Sequence, residues 1–296
     1  SAAKLTDTTL LAAGYNANSY GAIFRSTDGG NSWLPVTSLS VVSPFYGVTR
    51  VTDTVAVAVG SNASGYASVY RSTDSGGTWS AAYAGSVASV IRAVVTVSPT
   101  VVVAVANNES NVLHLYRSVN GGSSWTTNLT AFAATAVPAA LVLVTASTLV
   151  LVGHSATGTK GIVFRSTDAG VTWTATFTTP ANMALTGVER ISDTELIAMG
   201  YYTTTYLGVL YRSTDAGLTW SLMYTSTATA MLNGSIVKLS DAVRLAVGRS
   251  INTAAANGII YRLVDDASTY TAVRLPRPTI ASLGGIPRYA YTKVLP

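Results

Sequence analysis

No cysteine occurs in the 296 residues, which excludes disulfides and thiolate metal sites and leaves the redox compartment open. Histidine is nearly missing too. His114 and His154 stand far apart in sequence with no spare carboxylate beside them, whereas a zinc site takes three or four such ligands, so no metal site is expected. There is no Gly-x-Ser-x-Gly elbow and no Gly-rich phosphate loop opening a helix, so neither serine-hydrolase chemistry nor a cofactor is expected. Charged residues are only 10% of the chain against 48% hydrophobic, a composition that suits a sheet-rich body covered by Ser, Thr, Asn and Tyr. The net charge is +5, but no basic cluster with interleaved aromatics accompanies it, and no nucleic-acid partner is expected. One uncharged stretch, Ala131–Gly153, is long enough to span a bilayer. Pro138 interrupts it, and Thr145, Ser147 and Thr148 form a polar break, so it reads as two strands without membrane insertion.

What is present is a repeat. Arg25, Arg71, Arg117, Arg165, Arg212 and Arg262 each open the same phrase, at spacings of 46, 46, 48, 47 and 50 residues. A near-constant period of this size marks an architecture in which each unit buries its apolar face against its neighbours. Each unit reads as four short strands. The first ends in a polar turn, as at Lys4–Thr8, Arg50–Thr54, Arg190–Thr194 and Lys238–Ala242. The second closes on Gly14, Gly60, Gly153, Gly200 or Gly248, with Ala106 in the third unit. The third leads into the Arg phrase and the fourth begins near its Trp. Runs rich in Val, Ile, Tyr and Thr between Gly/Asn/Asp/Ser turns carry the strand signature. The expected fold is all-β, a six-bladed β-propeller of four-stranded antiparallel blades over residues 1–275, followed by a C-terminal tail at 276–296.

The Arg phrase resembles the Asp-box, or BNR repeat, Ser-x-Asp-x-Gly-x-x-Trp. It stands as Ser26-Asp28-Gly30-Trp33, Ser72-Asp74-Gly76-Trp79, Ser166-Asp168-Gly170-Trp173 and Ser213-Asp215-Gly217-Trp220. The third copy has Asn120 in the Asp place before Trp125, and the sixth has Leu263, Ala267 and Tyr270 for Ser, Gly and Trp. A tight hairpin leaves amides for a short Asp or Asn to accept two residues on, Gly supplies positive φ, and Trp gives an apolar plate with an N–H for a carbonyl. The resemblance, to the sialidase-like propellers by repeat motif only, implies structural boxes on the outer edge. Such boxes occur in sialidases, other glycoside hydrolases and non-enzymatic propellers, so activity does not follow from them.

Glycoside hydrolysis needs a pair of carboxylates. Of 13 Asp plus Glu, six lie in the boxes (Asp28, Asp74, Asp168, Asp215, Asp265, Asp266) and four in the first-strand turns (Asp7, Asp53, Asp193, Asp241). Glu109, Glu189 and Glu195 remain, and only Glu189, beside Arg190 in a first strand, is placed to face a channel as a weak catalytic candidate. Arg50, Arg92, Arg190 and Arg244 could supply the cations a sialidase needs, but its N-terminal Arg-Ile-Pro-type motif is missing. Lys4, Arg50, Arg190 and Lys238 occupy one place in four units. They form either an anion-binding arc or strand-end cations paired with the following Asp.

Four sequons (Asn62, Asn108, Asn128, Asn233) would accept glycans in a secretory setting. The chain opens at Ser1, as a mature secreted protein would, and an excised segment would look the same. In the tail, Tyr289–Leu295 alternates like a strand and echoes the first-strand sequence, so residues 289–295 are expected to add to a sheet edge, within the molecule or in a homo-oligomer or fibre. The leading expectation is a non-catalytic, extracellular or cell-surface structural or interaction module with a glycan or protein ligand. A carbohydrate-binding or carbohydrate-cleaving propeller is the alternative, and an assembly factor for a membrane complex the second.

Overall fold

Extended runs dominate because β-branched and aromatic residues alternate with small polar ones and Gly or Ser/Thr-Asp turns cut them short. The computed structural model describes residues 1–15, 20–37, 39, 44–128, 135–229, 231–232, 236–238, 243–250, 257–265 and 270–274. All strand pairs are antiparallel. The first sheet is β1 (Ala2–Lys4), β2 (Leu10–Tyr15), β3 (Gly21–Ser26) and β4 (Leu34–Pro35). The next holds seven strands: β5 (Phe45–Arg50), β6 (Ala56–Ser61), β7 (Tyr66–Ser72), β8 (Ser80–Thr96), β9 (Val102–Asn108), β10 (Leu113–Ser118) and β11 (Thr126–Asn128). Three four-stranded sheets follow: β12 (Ala136–Leu143) to β15 (Thr174–Thr178) through β13 (Leu149–Ser155) and β14 (Gly161–Ser166); β16 (Met183–Arg190), β17 (Leu196–Tyr202), β18 (Leu207–Ser213) and β19 (Ser221–Thr229); and β20 (Ile236–Lys238), β21 (Val243–Ser250), β22 (Asn257–Asp265) and β23 (Tyr270–Arg274).

The seven-stranded sheet departs from the expected four. Its long strand β8 pairs with β7 as far as Ala88 and with β9 from Ser89 onward. From Ser80 to Thr96 the chain stays extended through Gly85 and Ser86, so one strand serves as the fourth of unit two and the first of unit three. Ala136–Gly153, part of the stretch long enough to span a bilayer, lies in β12 and β13 and their connection. No helix among the described residues is long and apolar enough to cross a membrane.

The core lies between successive four-stranded units, one cluster to each junction. Along β6, Ala56 and Ala58 pack with Leu11 and Ile23 of the first sheet, while Val57 and Val59 pack with Ile91, Val102 and Ala104 on the other side. Period-two alternation sends successive side chains to opposite faces, so a strand apolar on both is buried from both. The same holds further on. Val103 and Val105 join Leu149 and Leu151, and Val150 and Val152 join Leu196 and Ala198. The first strands of consecutive units touch in series, β1 with β5, β5 with β8, β8 with β12, β12 with β16 and β16 with β20. They form the inner rim of a radial stack, the β-propeller arrangement.

Candidate functional site

Each antiparallel unit has two ends, and they are built differently. At one end lie the first hairpin and the Arg phrase, whose loop joins the third and fourth strands. In the second unit the Ser72 hydroxyl donates to Asp74 Oδ1 (2.8 Å) and accepts from the Gly76 amide (2.9 Å). Asp74 Oδ1 also accepts from the Thr78 amide (2.9 Å), and Trp79 Nε1 donates to the Gly76 carbonyl (3.1 Å). The same bonds recur at Ser26, Asp28, Gly30 and Trp33, at Ser166, Asp168, Gly170 and Trp173 and at Ser213, Asp215, Gly217 and Trp220. Asn120 takes the Asp part with its Oδ1 and turns its Nδ2 to Ser124 Oγ (2.8 Å), and Trp125 donates to Gly122. The carboxylate therefore accepts four residues on, not two as expected; the Ser hydroxyl takes the nearer amides. Bonds from Ser32 and Ser26 hold Asp28 down at about 2. Burial opposes the same effect at Asp74, and the Thr78 amide and hydroxyl with Ser72 still bring it to about 2. Asp168 and Asp215 are lowered too, their Thr partners outweighing burial. The sixth phrase lies in part outside the described residues.

The opening arginine has a role that reading the sequence missed. Arg25 Nε donates to the Ser75 carbonyl (2.8 Å), Arg71 to Gly121 (2.9 Å), Arg117 to Ala169 (3.2 Å) and Arg165 to Ala216 (2.9 Å). Each reaches the loop of the next unit, at the residue before that loop's glycine. The acceptor residues stand at positive φ, Ser75 at 58°, Ala169 at 57° and Ala216 at 59°, which turns the carbonyl toward the preceding sheet. Their amides donate to the first hairpin of their own unit, Ser75 to Thr54 and Ala216 to Thr194, both at 2.8 Å. Gly76 must be glycine twice over, since its φ is +85° and an added Cβ would lie 2.4 Å from Leu11 Cδ2 of the preceding sheet. The Trp plates pack the same way, Trp79 with the first sheet's core and Trp125, Trp173 and Trp220 with the cluster behind each. The signal in sequence was the recurrence of Arg before Ser, used there only as a landmark. Arg212 Nε instead meets Glu195 Oε1 at 3.1 Å.

The cations at this end are paired. Lys4 meets Asp7 at 2.8 Å, and Arg50 and Arg190 meet Asp53 and Asp193, in each case the Asp three residues on. The Lys4 ammonium lowers Asp7. Lys238 ends β20, with Asp241 outside the described residues. Glu189 is buried in β16, 8% exposed, one residue from exposed Arg190. His114 is buried in β10 with its pKa lowered by burial, and its Nδ1 has no partner among the described residues. Asn62 Oδ1 accepts from the Ser64 and Tyr66 amides and Asn108 Oδ1 from Val112, so both side chains cap their own turns. Asn128 ends β11, while Asn233 and residues 275–296, including the expected strand at 289–295, lie outside the described residues.

The opposite end carries the first strands' bulges. Pairing slips at one residue in each of four inner strands, at Tyr46, Arg92, Ala139 and Thr186. A bulge re-aims its side chain. Arg92 lies over the Tyr46 ring at 5.7 Å, and Tyr46 lies 5.9 Å from Tyr15, the last residue of β2. Arg92 Nε donates to Asn107 Oδ1 at 2.7 Å. Burial raises the Tyr46 phenol more than Arg92 lowers it. Farther round, Tyr201 and Tyr206 stack at 6.4 Å and 19°. No group of three or more His, Cys, Asp or Glu among the described residues could hold a metal. This arrangement offers aromatic faces, phenol hydroxyls and one oriented guanidinium, the means of binding a polar ligand.

Residues 69–261 match the model of the DUF6242 beta propeller domain. The chain belongs to that family. No curated protein matches it. Among solved structures it is similar to the SapL1 lectin in complex with alpha methyl fucoside, at 13% identity and TM-score 0.60 over 94% of this chain and 96% of that one. It is similar to the GH74 enzyme of Niastella koreensis, at 15% identity and TM-score 0.58 over 92% of this chain, and spans 58% of that enzyme's length. It is also similar to YCF48 bound to D1 peptide, at 15% identity and TM-score 0.56 over 90% of this chain and 91% of that one. At such identities the likeness is one of fold, a β-propeller of four-stranded antiparallel sheets.

Proposed function

We propose that this DUF6242 propeller is a non-catalytic binding module, built as six Asp-box blades and acting outside the cell or at its surface. Six Arg phrases support the blade count, as does the change of partner within β8, which divides the seven-stranded sheet into two sets of four. The observation that carries the reading is the use of the carboxylates. Asp28, Asp74, Asp168 and Asp215 are acceptors inside their own hairpins, Asp7, Asp53 and Asp193 face cations, Glu195 faces Arg212, and Glu189 is buried. That leaves little for the acid and nucleophile of glycoside cleavage. The Tyr15–Tyr46–Arg92 group at the bulge end favours a glycan as ligand, and lectins lie among the similar folds. The sequons favour the extracellular setting, and the strand-like 289–295 segment is assigned to self-assembly.

Incubating the protein with oligosaccharides and separating products by chromatography tests the main point. No cleavage is expected. Cleavage that disappears in Glu189→Gln would make this chain a hydrolase. For the tail, light scattering of a chain lacking residues 284–296 is expected to show the same fold with smaller assemblies; unchanged assembly would remove the tail from the reading.

A further inference from the structure

A repeat protein contains its own comparison. Positions that perform the same structural task keep one residue type from unit to unit, and positions released from that task diverge. At the phrase end Ser and Gly recur throughout the five described loops. At the other end the bulged residues are Tyr46, Arg92, Ala139 and Thr186, and the residues after the second-strand Gly or Ala are Tyr15, Ser61, Asn107, His154 and Tyr201. Among the described residues of units one to five, aromatic, cationic and amide groups meet at the junction of the first three; in unit six Arg249 follows Gly248.

Deepening the binding-module reading and resting on it, we propose that Arg92, flanked by Tyr46 and Tyr15, binds the carboxylate of an acidic sugar in a uronate-containing oligosaccharide. Lys4, Arg50, Arg190 and Arg212 each face a carboxylate, whereas no described carboxylate pairs with Arg92. Its Nε is held by Asn107, which is 5% exposed and spends its own amide nitrogen on the Asn108 carbonyl and Asn111 Oδ1. Asn107 is a positioning residue: it fixes the guanidinium plane and leaves the two terminal nitrogens for a bidentate acceptor. A free carboxylate would satisfy that fork alone. The two rings beyond it, Tyr46 half-buried and Tyr15 47% exposed, call for a flat hydroxyl-bearing body within one ring's width of the charge. A uronate holds both in one rigid residue, while an acidic peptide carries its carboxylate on a rotatable stem that binding must immobilise.

Calorimetric titration of the full chain with tetragalacturonate, its fully methyl-esterified form and hexaglutamate tests the assignment. Tetragalacturonate is expected to bind, and the neutral ester and the peptide about tenfold more weakly or worse. Arg92→Gln is expected to lose about tenfold or more, and Arg92→Lys as well, because an ammonium has no fork. Asn107→Asp should weaken binding with Arg92 intact by placing a carboxylate against it. Asp74→Asn, at the far end, should bind as the parent does. Undiminished binding in folded Arg92→Gln, hexaglutamate binding as tight as tetragalacturonate, or binding of the neutral ester alone would overturn the assignment while leaving a binding module. Shortened products in the cell would instead overturn the non-catalytic reading and leave Arg92 in place.

Discussion

The two ends of the sheets follow opposite rules. At the phrase end five loops repeat one set of bonds, with the Gly amide 2.8 to 2.9 Å from the Ser hydroxyl every time. At the bulge end four equivalent residues are four different types, and no shared bond links them. The difference is one of load. Every phrase loop from the second unit to the fifth clamps the preceding sheet through an Arg, a Gly contact and a Trp plate, so a change at one breaks a junction. The bulged residues are unpaired in the ladder and share no common clamp; Thr186 alone of the four donates its hydroxyl to a carbonyl of the next unit, that of Leu232. Stability is concentrated at one end and freedom to acquire a ligand at the other.

Breaking the phrase end should show this most strongly at Gly76. Gly76→Ala combines a strained φ with a Cβ driven against Leu11, and is expected to cost about 2–5 kcal/mol in urea denaturation. A loss below about 0.5 kcal/mol, the level of an ordinary surface change, would mean that the loop is not clamped to the first sheet. A pair of substitutions sharpens the contrast. Arg71→Ala removes a charged donor from a carbonyl of the next unit and should cost about 1.5–3 kcal/mol, while Tyr15→Ala, half-exposed at the bulge end, should cost about 1 kcal/mol or less. Equal losses would erase the distinction between the ends.

The smallest effect separates the loops within the phrase end. Asn120 accepts the same amide as Asp74 without a charge. Asp74→Asn should therefore keep the loop and cost at most about 1 kcal/mol at neutral pH, because the exposed carboxylate is screened by solvent. The Asp74 carboxyl lies at about 2 in the fold against an ordinary 3.8. Depressed on folding, it stabilises the fold above about pH 4, and that contribution is lost as pH falls from there toward 2. The parent and the Asn variant should converge in melting temperature over that window. A gap that persists unchanged at pH 2 would show that the charge is not what the two loops differ by.

The repeat and the sheet-rich class were legible in the sequence because each is local, and so was the place of each loop, though not which amide its carboxylate accepts. A hairpin needs its Ser, Asp and Gly within five residues, and a strand shows its burial in alternation along itself. The break in Ala131–Gly153 was likewise local, and Pro138 sits at the bulge of β12. What only the tertiary structure decided is everything that joins one unit to the next. The arginines act on loops about fifty residues away, Trp79 packs with the first sheet's core while bonding its own loop, and β8 runs on from one unit into the next. The Tyr15–Tyr46–Arg92 group is the clearest case. Its members come from three units, and two of them meet because a bulge, which leaves no mark in hydrophobic periodicity, turns each side chain out of its ladder. Local chemistry set the units and their turns; the contacts between sheets, formed only when neighbouring faces pack, made one end a clamp and the other a candidate binding face.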